Sequence, residues 1–467
     1  AATRGGGPGH PVTFRRELRL HSVLAFGLAY LAPIIVLGTF GVISQKSNGG
    51  TAGSYLIAML AMLLTATSYG RLSHEVPMAG SAYTYVRKMV SNHLGFLVGW
   101  GSMLDYVFIP MVIWLIGASY LNAQFPAIPD PVWIAGFIVI TSGLNIVGIK
   151  VADHANLVLL AIEVLVIALF VAFSIYAVAH HGQQLLSLTP FTGKPFDVLA
   201  LSAGAATAAY SFLGFDAVTT LTEETVDAKR TIPRAIMLTA LVGGGIFVVA
   251  TYATELVHPL VQVLDIDSAA FEIAKAIGGA FLSTVFLVGL IVGQFASGIA
   301  AQASASRLMF AMGRDGVLPK RFFGRLSPRT NTPINAILVV AAVGIIGCFL
   351  DISTSTSFIN FGAFIAFTMV NVSAISLTRR QIARGEHVNP LTGYVVPALG
   401  ALVVIYLITE LDLPALLVGG TWLFIGICVL VGLTHGFHRP PPEMTDSTEV
   451  RSLPRESHRC RLPGGAA

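Results

Sequence analysis

Charge is what this chain has least of. Only 11% of its 467 residues are Asp, Glu, Lys or Arg, against about 25% in soluble domains. So few charges cannot cover a water-facing surface, which excludes an ordinary soluble fold. Cysteine is as scarce. Cys348 and Cys428 sit in apolar runs and Cys460 in a polar stretch near the end. That spacing offers neither a disulfide framework nor a metal site, and no metal or cofactor is expected. Gly-x-x-x-x-Gly-Lys-Ser/Thr, His-Glu-x-x-His and Gly-x-Ser-x-Gly are all missing. ATP coupling, zinc hydrolysis and serine-nucleophile chemistry therefore have no starting point, and no enzyme is expected. No basic patch on a folded surface is evident, which sets nucleic acid aside as a partner. The residues up to about His21 are polar, basic and rich in Gly and Pro. They lack the apolar core of a cleavable signal peptide.

Hydrophobic residues are plentiful, at 54%. They come in runs of about 20, the length that crosses a hydrocarbon layer of about 30 Å. Twelve spans are predicted, near 23–44, 52–71, 95–120, 131–149, 156–178, 200–222, 234–257, 280–311, 334–350, 355–377, 393–410 and 414–435. The expected fold is an all-α membrane protein with 12 transmembrane helices, embedded in lipid. It divides into a cytoplasmic segment 1–21, a helical domain 22–437 and a disordered cytoplasmic tail 438–467. With the first residues inside, only Lys46, Lys194 and Lys275 of the 28 Lys and Arg fall outside. This positive-inside bias places both ends of the chain in the cytoplasm. The expected location is the cell membrane, the inner one in a bacterium.

Acids inside the spans are costly, roughly 2.5–3.5 kcal/mol each on insertion scales, and mark function more often than structure. Asp216 follows Tyr210-Ser211-Phe212-Leu213-Gly214-Phe215 in span six. Its structural alternative is a cap on a broken helix. Asp105 sits in span three beside Tyr106, with pairing to a neighbouring helix as its alternative. Glu163 lies in span five, either as a proton carrier or as a neutral hydrogen-bonding group. Span one carries Pro33 and then Leu37-Gly38-Thr39-Phe40-Gly41. Its interruption and that of span six lie five spans apart, so the two run in opposite directions. Paired interrupted helices are the sequence pointer to a transport site. Asn145, Asn156, Asn360 and Asn371 are expected to bond between helices. Glu223, Glu224 and Asp227 beside Lys229, Arg230 and Arg234 read as an inner-surface charge network. The loop 78–85 is expected to lie partly re-entrant.

Several strings resemble the amino acid–polyamine–organocation (APC) transporter superfamily. They are Tyr30-Leu31-Ala32-Pro33, AGSAYTY (79–85), LDYVFIPM (104–111), SFLGFDAVTTLTEET (211–225), ASASRLMFAMGRDGVLP (303–319) and TSFINFGAFIAFT (356–368). The LDY, GFDAVTTLTEET and INFGA strings look most like putrescine importers. The resemblance implies a LeuT-like fold: a 5+5 inverted repeat, about 22–178 and 198–378, plus two helices at about 392–436. It also implies a secondary carrier for a small amine or amino acid, with a proton as the coupling ion and sodium less favoured. Substrate contacts are then expected at Pro33, Gly38, Thr39, Asp105, Tyr106, Tyr210, Ser211, Phe212, Gly214, Phe215 and Asp216. Proton coupling is expected at Glu163, Asp216 and Asp105. Tyr210 matches a substrate-covering aromatic of those relatives, and Asp216 matches a glutamate tied to proton linkage. Many proton-coupled relatives carry lysine at the place of Glu163, so the usual lysine device is replaced here. Amino acid carriers show a tighter Gly-x-Gly run in span one that bares amides for a carboxylate. The bulky Phe40 inside this run favours an amine, and an amino acid stays open.

Overall fold

The computed structural model describes residues 18–77, 81–147, 153–222, 224–261, 263–314, 318–327, 330, 332–438 and 441. Nearly all of the tail expected to be disordered and most of segment 1–21 lie outside them. Among the described residues the regular structure is helical, apart from one isolated bridge between Leu18 and Thr225.

Span one is three pieces: α1 (Leu20–Leu31), α2 (Ile35–Gly38) and α3 (Phe40–Lys46). Pro33 causes the first break, because it has no N–H and crowds the residue before it out of helical geometry. Ala32 accordingly takes a left-handed φ of 46°, costly for a residue with a Cβ. Next come α4 (Thr51–Glu75) and the short α5 (Ser81–Met89). The described part of the loop expected to be re-entrant is thus helix, and residues 78–80 lie outside the description. Then follow α6 (Asn92–Gln124), α7 (Asp130–Val147), α8 (Asp153–His180) and α9 (Thr189–Thr192). Ser91 caps α6 by accepting from the Leu94 amide at 3.2 Å, satisfying one orphan donor of the first turn.

Span six starts as α10 (Val198–Ala208), tightens into a 3-10 turn at Ala209–Phe212, bends, and resumes as a 3-10 turn at Ala217–Leu221. The bend needs Gly214, whose φ is 100°. Beyond it lie α11 (Ala228–Val257), α12 (Ala269–Arg314, interrupted at Gly279), α13 (Lys320–Phe323) and α14 (Ile334–Gly344). The last three are α15 (Ile352–Ala383), α16 (Val396–Thr409) and α17 (Leu413–Leu433).

Eleven helical segments among the described residues are long and apolar enough to cross a bilayer. The remaining predicted span, 334–350, is a shorter apolar helix, Ile334–Phe349. Its 11 α-helical and 5 3-10 residues rise about 26 Å, short of a layer of about 30 Å.

The two broken helices interlock. α1 packs against the 217–221 turn and α10 packs against α3, so each first half meets the other's second half. α4 lies along α11, and α6 packs on α12 and α15. Three of the four asparagines bond between helices as expected. Asn145 donates to Gln302 at 2.9 Å, Asn360 to the Ala206 carbonyl at 2.8 Å, and Asn371 to Thr65 at 3.1 Å. The Asn156 side chain lies outside the description. The charge network expected around residues 223–234 is only partly described. Arg230 and Asp227 stand 3.9 Å apart and exposed, a geometry worth little, and Glu223 is outside the described residues.

Candidate functional site

The break in span one leaves few free amides. The Ile34 N–H donates to Glu163 Oε2 at 3.4 Å. Ile35, Val36, Leu37, Gly38 and Thr39 donate to the carbonyls of Ala32, Pro33, Ile34, Ile34 and Ile35. Every amide from Ile34 to Thr39 is therefore committed within the protein, and Pro33 has none. Gly38 serves close packing: a Cβ there would stand 3.2 Å from Ile116. Tyr120, from α6, donates to the Leu37 carbonyl at 2.7 Å.

Thr39 and Ser211 join the two broken helices through Tyr55 of α4. The Thr39 hydroxyl donates to the Ile35 carbonyl at 3.2 Å. With that proton spent, Tyr55 donates to Thr39 across 3.3 Å and Ser211 to Tyr55 across 2.8 Å, since each hydroxyl has one proton to give. All three side chains are buried. Phe212 and Phe215 lie in packed aromatic clusters. Their rings are fully buried. Phe212 packs on Tyr55 and Phe247, and Phe215 on Tyr69 and Phe367. Their aromatic surface holds the unwound stretch in place.

Asp216 is half-buried. Its Oδ2 accepts from Tyr69 at 3.0 Å and from Ser81 at 2.5 Å. Asp105, on α6, keeps its Oδ1 buried with no hydrogen-bond partner. The two carboxylates lie within electrostatic reach of each other and of Tyr30 and Tyr106. Tyr210 is within reach of Asp105. The Tyr30 ring lies flush on Gly214, where a Cβ would sit 2.1 Å from it. Two acids, one with an unused oxygen, thus stand among tyrosines; carboxylates and aromatic ring faces are groups that attract cationic nitrogen, a ring face by about 0.5–2 kcal/mol. Glu163 belongs to a separate place. It meets the start of α2 and stands beside Gly293 of α12, where a Cβ would be 3.1 Å from its Oε1. It closes the seam between the span-one break, span five and span eight.

A family model described as "Amino acid permease" matches residues 21–433. The low-affinity putrescine importer PlaP of Escherichia coli K12 is 38% identical over 439 residues, covering 93% of this chain and 97% of the relative. The chain belongs to the amino acid permease family, within the APC superfamily. The branched-chain amino acid permease BcaP of Bacillus subtilis is 25% identical, with 87% and 91% covered. The methylthioribose transporter of the same organism is 28% identical over the same shares. This permease is thus a multi-pass membrane transporter, and its relatives carry different small molecules.

Four tyrosines of this permease escaped the sequence reading: Tyr30, Tyr55, Tyr69 and Tyr120. Their signal was weak, because a tyrosine in a span reads as packing. What marks them is a hydroxyl aimed at a broken helix or a ring laid on one, and only the assembled fold shows that.

Proposed function

We propose that this permease imports a small primary amine, putrescine or a related polyamine, by proton-coupled alternating access. The observation that carries this reading is the commitment of every span-one amide from Ile34 to Thr39. A substrate carboxylate would need such amides free, and an amine does not. Asp105 and Asp216 then take the two ammonium groups of a diamine, with Tyr30, Tyr106 and Tyr210 around the chain between them. Glu163 carries the coupling proton at the seam, with a proton favoured over sodium. Transport follows from rocking spans 1, 2, 6 and 7 against the remaining helices around a fixed midplane site. The chain ends face the cytoplasm, by the distribution of basic residues.

A second reading, an amino acid permease or exchanger of the same fold, is favoured by the likeness to the branched-chain permease. Reconstituted vesicles separate the two. Radiolabelled putrescine uptake under an inward proton gradient is challenged with amines and amino acids. Saturable uptake, collapsed by a protonophore and competed only by diamines, is the expected result. Uptake of a branched-chain amino acid with none of putrescine would overturn the amine reading.

A further inference from the structure

A cavity lies on the opposite side of the span-one break from Asp216, at the end that the basic residues assign to the outside. It holds about 300 Å³, at the low end of small-molecule sites. One wall is polar: Ser44 and Gln45 of α3, Asn48 just beyond it, and His258. The facing wall is apolar, with Val263 and Ile266 from the connection between spans seven and eight.

Behind the polar wall stands Glu255 of α11, 5% exposed. Its Oε1 accepts from Ser44 at 3.1 Å and lies 3.2 Å from His258 Nδ1. Its Oε2 accepts from Thr51. Among the described residues no lysine or arginine lines the cavity, and Lys46 is turned to Asp412 at 2.7 Å. Among the described lining residues His258 is the basic group, and it is already engaged with the carboxylate. A buried negative charge behind hydroxyl and amide acceptors, facing an apolar wall, suits an organic ammonium ion. The lining acceptors take the N–H groups, the charge behind them attracts the cation, and the apolar wall takes the methylenes.

The cavity also borders the second half of the broken span one. Gly41 lines it, two residues beyond Thr39. A Cβ on Gly41 would stand 2.1 Å from the Ile266 carbonyl, so the span 7–8 connection is seated directly on α3. Phe40 meets the His258 ring edge-on at 5.7 Å.

We infer that this cavity is a second, outer binding site for an organic ammonium ion, lined by Ser44, Gln45 and Asn48 with Glu255 behind them, where the substrate amine docks before reaching Asp105 and Asp216. The inference rests on the amine reading above.

Equilibrium binding of putrescine to the purified full chain tests it, read as stoichiometry. The wild type is expected to bind two amines per chain. Glu255→Gln keeps the side chain's shape and is expected to bind one, with KM for uptake raised about tenfold. Because a buried glutamate can matter to folding, Val263→Trp is the second variant. It fills the cavity from the apolar wall, leaves the Glu255 hydrogen bonds alone, and should also bind one. Asp216→Asn should keep the outer site and lose the central one. One amine per wild-type chain, still bound in Glu255→Gln and Val263→Trp, would overturn the outer site and leave the amine reading standing. No amine bound by the wild type would overturn both.

Discussion

Replacing Asp216 by asparagine keeps the side chain's shape and removes its charge. The carboxylate accepts two hydrogen bonds, from Tyr69 and Ser81. Asparagine retains one oxygen to accept them, so the loss to folding is that between charged and neutral acceptors, about 1–2 kcal/mol. The loss to substrate is larger in effect. An ammonium that bonded a carboxylate loses a contact worth about 1.5–3 kcal/mol, which is about 10- to 150-fold in kcat/KM. Freeing Tyr69 and Ser81 from a charged partner also loosens the tie between span six and α5. The expectation is a protein that stays folded and whose uptake at subsaturating substrate falls about 10- to 150-fold. The assay is radiolabelled putrescine uptake in proteoliposomes, beside thermal unfolding of the same preparation. Wild-type uptake by Asp216→Asn would refute the assignment. Lost uptake with a collapsed melting transition would reduce Asp216 to a structural role.

Glu163→Gln can still accept from the Ile34 amide and cannot release a proton. Uptake should persist down a substrate gradient and lose its response to an imposed pH gradient; a retained response would remove Glu163 from coupling. Gly214→Ala puts a Cβ 2.1 Å from the Tyr30 ring at a φ of 100°, a strain of at least about 1–2 kcal/mol before the clash. Low yield or lost uptake is expected, and the double variant with Tyr30→Ala should recover expression. The Asp412 carboxyl, between spans, sits below its ordinary range. Burial alone would raise it, and hydrogen bonds from Lys46, Ser357 and Ser353, with the Lys46 charge, outweigh that. A depressed folded value means the contribution is full above the unfolded pKa of about 3.9 and is lost as pH falls through the folded value. The melting-temperature gap between wild type and Asp412→Asn should therefore be present at pH 7 and shrink as pH drops below about 4. A gap independent of pH would refute it.

Much of the fold could be read directly from the residues. Span lengths follow from apolar runs, because a bilayer sets a minimum length that composition alone can meet. The breaks at Pro33 and Gly214 follow from backbone chemistry local to those residues. The buried acids Asp105, Glu163 and Asp216 announced themselves by their cost. Which way each side chain faces was another matter. The Phe212 and Phe215 rings turn onto packed aromatics, a direction that could not be read from their neighbours in sequence. In an unwound stretch the helical period is lost, so spacing no longer predicts direction. Partners far apart in the chain were equally hidden. Tyr55 bridges Thr39 and Ser211, Glu163 meets Ile34 across 129 positions, and Glu255 gathers Ser44 and Thr51 from more than 200 positions away. Local propensity carries no term for such pairs. The sequence by itself determined where the helices run and where they break. Only the packing of distant spans decided which hydroxyls, amides and carboxylates meet at those breaks, because hydrogen bonds depend on position in space and not on separation along the chain.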